Sequence, residues 1–556
     1  MVIYKLTVLS KWNIWSVFVA AIAVVLIAPV LAIFYSAFSG DTTLWPHLSS
    51  TVLPRYISNT LILMFGVGFL SLIFGISTAW IITRYDFPFK FIFEWALLLP
   101  AAVPAYIIAY TYTDFLEYAG PVQGIIRELF GWHSAQDYWF PNIRSMGGAI
   151  FVMSSVLYPY IYLMTRTSFI ATPISFYHAS SIHGKNVFFK VAIPLARPGI
   201  VAGLALVLME TISDFGTVDY FALETLTLGV FNVWLGMNSL PAASQISCVL
   251  FIFVIVLLSL ELIARKRQRF YEKSSGQDIL KPIQTKGFFI FLCLLICFIP
   301  ILLGFVIPFT VLLSFVLKGF AVINFQSIFS ATLTSISLSI VASVIVMIIS
   351  TMMIVVSFYK SNNFQRALVF LSSCGYAFPG TILAVGIVVF VGWLNNLIYF
   401  RIDYFSGSLI VLFFAYTLRF LAVGNGAVRS GILRINPSIV EASRTMGHNF
   451  FGIIKKIVIP LIYTNILVGG ILVFVDVLKE LPMTLLLRPF NFETLATYVY
   501  QYASDELLEE SSLAAIVIVL TGLGPIIFLN STIKKFTTKK ESFTSTEILT
   551  SGVHNS

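Results

Sequence analysis

Charge is what this chain has least of. Asp, Glu, Lys and Arg make up 11% of its 556 residues, where a soluble domain carries about 25%. That deficit excludes an ordinary soluble globule. Cysteine is scarce too. Cys248, Cys293, Cys297 and Cys374 all fall in apolar stretches, so no disulfide framework is suggested. Cys293 and Cys297 share a helix face, but two thiols do not make a metal site, and buried inert thiols are the simpler reading. The six histidines show no H-E-x-x-H or other metal-ligand spacing. No nucleophile, base and acid are arranged for catalysis. No G-x-x-x-x-G-K-[ST] phosphate loop occurs: Gly184-Lys185-Asn186 lacks the upstream glycine and the hydroxyl. The chain is therefore expected to be no enzyme and to bind no cofactor or resident metal of its own.

Apolar residues are abundant, at 58%, with a mean hydropathy of +0.93. A spanning helix needs roughly 20 apolar residues, and such runs recur along the whole chain. Backbone groups in lipid must pair internally, and runs without period-2 alternation choose helices over a barrel. The pattern predicts an all-α polytopic membrane protein with twelve spans: 14–38, 59–83, 91–112, 146–167, 191–212, 243–264, 287–317, 331–358, 367–393, 407–428, 457–478 and 511–531. The first run follows Lys5 and Lys11 like a signal peptide, but it is too long for one and reads as a retained span. The net charge of +9 is a positive-inside bias and does not indicate a nucleic-acid partner. Arg84 and Lys90 follow span two, Arg265, Lys266, Arg267, Arg269 and Lys273 follow span six, and Lys534, Lys535, Lys539 and Lys540 follow span twelve. Every second loop is basic, so both termini are expected in the cytoplasm.

The polar run 273–286 reads as a cytoplasmic linker between two six-helix repeats, 1–272 and 287–540, with a disordered Ser/Thr-rich tail, 541–556. Pro194 and Pro460 are separated by 266 residues. At that same offset Glu210 meets Asp476, and Asp214 meets Glu480. Glu224-Thr225-Leu226 matches Glu493-Thr494-Leu495 at an offset of 269. Both repeats start inside, which implies a pseudo-two-fold axis along the membrane normal, with the pathway between the halves.

The loop before span eleven holds Glu441-Ala442-Ser443, three residues, Gly447, nine residues, then Ile457-Val458-Ile459-Pro460. Asn436-Pro437 can begin a short helix, and Gly447 permits a left-handed turn at its end. A short helix outside the bilayer is something a cytoplasmic motor could push on; an ordinary interfacial helix is the plainer alternative. The first-half counterpart is degraded. His178 stands where Glu441 does, followed by Ala179, Ser180 and Gly184, and the gap to Val191-Ala192-Ile193-Pro194 is three residues shorter.

These segments resemble the coupling motif of ATP-binding-cassette (ABC) importer permeases. Leu99-Pro100-Ala101-Ala102-Val103-Pro104-Ala105-Tyr106 and Ala119-Gly120-Pro121-Val122-Gln123 are similar to the fused permeases of bacterial ferric-iron ABC importers. So are Ser213-Asp214-Phe215-Gly216-Thr217-Val218-Asp219-Tyr220, Lys479-Glu480-Leu481-Pro482-Met483-Thr484 and Ala503-Ser504-Asp505-Glu506. The resemblance implies a type I importer permease in the bacterial inner membrane, with alternating access. It implies two copies of a cytoplasmic ABC ATPase that bind ATP and Mg, a periplasmic ferric-binding protein, and Fe3+ as transported substrate. In that frame Glu441, Ala442, Ser443 and Gly447, with His178, Ala179, Ser180 and Gly184, would couple to the ATPases. Thiamine, a phosphonate or another small anion is the alternative substrate. An ion-coupled secondary transporter is the rival from another class, and it would have no use for a docking helix.

Ionisable residues at membrane depth are functional candidates. Glu210 and Asp214 lie one turn apart at the end of span five, and Asp476 and Glu480 repeat this on span eleven. They could form an acidic ring, since carboxylate oxygens suit hard cations. Alternatively they pair with Lys479, Arg488 or freed backbone amides and hold helix ends. Tyr106, Tyr110 and Tyr112 could offer phenolic oxygen or simply pack. Pro104 and Pro379-Gly380 sit at like places in spans three and nine and could break or kink those helices. Arg419 is expected to snorkel or pair near the cytoplasmic side.

Overall fold

The computed structural model describes residues 14–39, 43–172, 176–177, 186–268, 282–359, 363–397 and 407–524. Among them nine helices are long and apolar enough to cross a membrane, and a bent pair makes a tenth. In the first half these are α1 (Ile14–Ser39), α2 (Leu53–Arg84), the bent pair of α3 (Lys90–Ala96) and α4 (Ala105–Leu116), then α5 (Met146–Ala171) and α6 (Ile193–Ser213). Short helices α7 (Gly216–Tyr220) and α8 (Leu226–Phe231) lead to α9 (Leu240–Gln268). The second half repeats the order. It runs through α10 (Phe288–Ile301), α11 (Ile307–Lys318), α12 (Phe325–Tyr359), α13 (Asn363–Ser372), α14 (Gly380–Leu397) and α15 (Leu409–Ile432). Then come α16 (Pro437–Thr445), α17 (Ile459–Leu478), α18 (Pro482–Leu487), α19 (Leu495–Ser504) and a helix over 508–524.

Nine or ten of the twelve expected spans stand out by length and apolarity among the described residues. The expected spans 91–112 and 367–393 are both broken helices, and the expected span 511–531 is described only to residue 524. Proline is the cause. Leu99–Ala102 tightens into a 3-10 turn, Val103 is extended (φ −95, ψ 122), and Pro104 precedes α4. Ser373–Ala377 does the same, with Phe378 extended (φ −88, ψ 136) before Pro379. A residue before proline is pushed out of the helical region, so the chain stops and restarts. The first break bends the path by 92°.

Three other prolines are absorbed differently. Phe188–Ala192, Leu302–Val306 and Ile454–Val458 are single π turns, each followed directly by Ile-Pro: Ile193-Pro194, Ile307-Pro308 and Ile459-Pro460. The wider turn removes the clash between the proline ring and the carbonyl four residues back. Two of the three lie at the 266-residue offset, so the repeat extends to backbone detail.

Each half packs a triple of long helices, α2 with α5 and α6, and α12 with α15 and α17. Equivalent hydrogen bonds tie a short helix to each triple, through α2 in the first half and α12 in the second. Thr60 Oγ1 accepts from the Leu226 amide at 3.0 Å, and Ser335 Oγ accepts from the Leu495 amide at 2.7 Å. Leu226 and Leu495 open α8 and α19, whose N-caps are Thr225 and Thr494. The leading helices are exchanged. α1 lies on α13 and α14 of the second half, while α10 and α11 lie on α2, α3 and α4 of the first. Tyr112 Oη donates across this seam to the Leu303 carbonyl at 2.7 Å.

Large apolar side chains cover the outside, among them Phe65 at 77% exposed, Leu129 at 76% and Phe329 at 71%. Exposure on that scale marks a lipid-facing surface rather than a water-facing one. The short helix expected after Asn436-Pro437 forms as α16. Asn436 caps it by accepting from the Ser438 amide at 3.1 Å, and Gly447 closes it at φ +83. Glu441 and Ala442 are exposed and Ser443 is buried. His178, Ala179, Ser180 and Gly184 lie outside the described residues, as do most of the linker and the tail.

The repeated cap gives a first test. Ser335→Ala leaves the buried Leu495 amide unpaired, at a cost of about 1–3 kcal/mol. Thermal unfolding in detergent should fall accordingly, and Thr60→Val should cost a like amount on the other side.

Candidate functional site: a carboxylate-lined cavity between the halves

The two helix breaks face each other inside the protein, and a cavity of about 130 Å³ lies between them. Its walls include Val103, Pro104 and Tyr106 from the first break, Tyr160 from α5, and Tyr376 from the second break. Glu210 and Asp214 enter from the end of α6, and Asp476, Lys479 and Glu480 from the end of α17. All four acidic residues expected from the sequence therefore share one site. Arg419 of α15 completes it.

The four carboxylates are not equivalent. Asp214 and Glu480 lie just beyond the last residues of α6 and α17, Ser213 and Leu478, so they do not continue the helix face of Glu210 and Asp476. They cap the next short helices instead. Asp214 accepts from the Thr217 amide at 2.9 Å and from Thr217 Oγ1 at 3.1 Å. Glu480 accepts from the amides of Met483 (3.1 Å) and Thr484 (3.0 Å), and from Thr484 Oγ1 at 2.8 Å. Negative charge at a helix N-terminus is favourable. Glu480 is 5% exposed and is held further by Arg419 Nη1 at 3.7 Å. These two residues answer the freed backbone amides that the breaks create.

Glu210 and Asp476 sit one turn earlier and keep looser company. Glu210 Oε1 accepts from Tyr376 Oη at 3.0 Å, a link from one half to the other. Asp476 Oδ1 is 3.2 Å from Lys479 Nζ. Four carboxylates against Lys479 and Arg419 leave the cavity two negative charges in excess. Among the described residues no three His, Cys, Asp or Glu side chains stand close enough to share a metal ion.

Two expectations need correction. Arg419 does not snorkel to the inner surface; it lines the cavity and partners Glu480, because a guanidinium at that depth must find an acid inside the protein. Arg488 does not neutralise the acidic set. It donates to the Phe492 carbonyl at 3.3 Å and to Thr497 Oγ1 at 3.1 Å. Sequence reasoning also missed Tyr160 and Tyr376, whose place depends on pairing across the bundle. The signal for Tyr376 was its position just before the second break.

At the end away from α16 the halves are clasped. Arg144, in the loop before α5, reaches Glu117 at 2.7 Å and Glu506 of the second half at 3.1 Å. Tyr500 of α19 donates to Asp219 of α7. The helical stretch 450–478 runs unbroken from the turn at Gly447 to Asp476, and Phe188–Ser213 makes the equivalent run to Glu210.

The family pattern for binding-protein-dependent transport system inner membrane components matches residues 354–535. An Fe(3+)-transport system permease protein of Haemophilus influenzae is 23% identical over 486 residues, covering 85% of this chain and 89% of the relative. A ferric transport system permease protein of Actinobacillus pleuropneumoniae is 21% identical over 518 residues, covering 86% of this chain and 72% of the relative. Both similarities take in both halves. A molybdate/tungstate transport system permease protein of Methanocaldococcus jannaschii is 26% identical over 196 residues, 34% of this chain and 73% of the relative, too short a stretch to take in both halves.

Removing a capping carboxylate should be costly. Glu480→Ala leaves Arg419 buried without its acid and two amides unpaired, a loss of roughly 3–5 kcal/mol. Glu210→Gln keeps the Tyr376 hydrogen bond and should unfold close to the wild type. Thermal denaturation of the purified variants separates the two roles.

Proposed function

We propose that this chain, a fused two-repeat permease of the binding-protein-dependent transport system inner membrane component family, forms the transmembrane pathway of an ABC importer that takes in ferric iron. Its termini face the cytoplasm. Two copies of a cytoplasmic ATPase dock on it, one at α16 and one at the 178–184 segment, and a periplasmic ferric-binding protein delivers the cargo to the opposite face.

One observation carries the mechanical part of this reading: the stretch 450–478 joins the α16 turn to the cavity as a single helical lever. At 1.5 Å per residue its 29 residues span about 43 Å. A push on Glu441, Ala442 and Ser443 is thereby delivered at Asp476, on the wall shared by the two halves. ATP-driven closure of the ATPases would draw the inner ends together and open the Arg144–Glu506 clasp, exposing the cavity outward. Hydrolysis would reverse the motion. ATP and Mg belong to the partner subunits in this scheme.

The substrate assignment rests on the two ferric permeases that match both halves and on the excess negative charge of the cavity, which favours a hard cation. Thiamine is disfavoured by the size of this cavity, about 130 Å³, and a phosphonate or other small anion by the sign of the charge. An ion-coupled secondary transporter would leave the exposed face of α16 without purpose.

Radiolabelled ferric iron uptake tests the reading. Cells lacking this chain should lose ATP-dependent uptake and regain it when the chain is restored; no difference would refute the ferric assignment. A second test addresses coupling. A Cβ at Gly447 would meet no neighbour within 4 Å, so the position is constrained by its φ of +83 alone. Gly447→Val should strain the turn by about 1–3 kcal/mol. It should insert normally and hydrolyse ATP on its assembled partners, yet lose coupled uptake. Wild-type uptake by Gly447→Val would remove α16 from the coupling role.

A further inference from the structure

We propose that the cavity between the helix breaks is a waypoint for the ferric cargo, at which Tyr106 contributes its phenolic oxygen as a ligand beside Glu210. This rests on the ferric reading above and names the residue through which the site would recognise the ion.

Tyr106 is the second residue of α4, just after the Pro104 break, and is 6% exposed. Its hydroxyl is buried and has no hydrogen-bond partner among the described residues. A buried polar group left unpaired lowers stability, and such groups in a native protein call for an explanation. Among the described residues four tyrosines carry a hydroxyl of this kind: Tyr106, Tyr110, Tyr158 and Tyr498. Of these, only Tyr106 lines the cavity that holds the four carboxylates. The ring is also held in place by construction. A Cβ at Gly216 would come within 2.8 Å of the Tyr106 Cβ and 3.0 Å of Leu481 Cδ2. Glycine at 216 is therefore what lets Tyr106 sit against the seam where α7 meets the second half.

The chemistry around it is selective. Asp214 and Glu480 are committed to helix caps, as their hydrogen bonds show. Glu210 lies within the field of Lys479 and accepts from the Tyr376 hydroxyl; that hydroxyl can rotate away, and Tyr376 then offers its own oxygen to the same space. Tyr106, Glu210 and Tyr376 together present a carboxylate and two phenols to one cavity. Hard cations take oxygen ligands of this kind. The cavity has room for a small ion with part of its hydration shell, and not for a bulky chelate. Binding would exchange the Tyr376–Glu210 hydrogen bond, which joins the halves, for bonds to the ion, so occupancy and separation of the halves are linked.

The test uses the assembled importer in proteoliposomes: this chain, its ATPase subunits and the binding protein loaded with radiolabelled ferric iron. Tyr106→Phe deletes only the oxygen. Its iron uptake per ATP hydrolysed is expected to fall at least ten-fold, while ATP hydrolysis stimulated by the loaded binding protein stays at the wild-type rate. Its unfolding temperature should hold or rise, because an unpaired buried hydroxyl has been removed. Tyr110→Phe, which removes a like hydroxyl away from the cavity, should transport as the wild type does. Wild-type uptake by Tyr106→Phe overturns the proposal. So does a loss of uptake accompanied by an equal loss of ATP hydrolysis, or an equal loss in Tyr110→Phe, since either would make the effect one of packing. Absence of iron uptake by the wild-type assembly would overturn the ferric reading itself, and this site with it.

Discussion

Two prolines set in apolar helices, Pro104 and Pro379, impose the constraint on which the rest of the structure depends. Each stops a helix and frees backbone groups that lipid cannot satisfy. Irregular backbone at that depth is tolerated only where protein or a cavity covers it. The breaks are therefore turned inward, toward each other, and the long helices α2, α5 and α6 with their repeats α12, α15 and α17 form the wall around them. The exchange of leading helices fits the same need. α1 covers α13 and α14, the helices flanking the second break, and α10 and α11 cover α3 and α4 at the first.

Once the breaks face inward, the charges follow. The short helices α7 and α18 begin where α6 and α17 end, and their first amides need acceptors. Asp214 and Glu480 supply them. A carboxylate as buried as Glu480 then needs a cation, which Arg419 provides. Glu210 and Asp476, one turn earlier, are left to face the remaining space. The division into structural and available carboxylates is thus a consequence of where two helices stop, and it leaves a negatively charged cavity on the boundary between the halves.

Much of this was legible in the sequence, because membrane helices advertise themselves by length and a repeat by its offset. The prolines, the four acids and the short helix α16 were each marked by a residue type that is costly where it stands: proline in a helix, charge in lipid, glycine at positive φ. What was not legible depended on non-local geometry. One residue of difference in the end of α6, or two in that of α17, decides whether Asp214 and Glu480 lie on a helix face or cap the next element, and helix ends are the least determined feature of a pattern. The partnerships Arg419 with Glu480 and Tyr376 with Glu210 join segments far apart in the chain, and no periodicity reports them. The π turns before Ile193-Pro194, Ile307-Pro308 and Ile459-Pro460 were likewise hidden, since the sequence marks the proline but not how the preceding turn yields to it.

In the proposed cycle the halves move against each other about this cavity, driven from α16. The most direct measurement is the distance between spin labels at Asn142→Cys and Leu507→Cys, which flank the Arg144–Glu506 clasp, in an otherwise cysteine-free chain assembled with its ATPases. Trapping ATP should lengthen this distance, and nucleotide release should restore it. A distance unchanged between the two states would contradict alternating access through the seam.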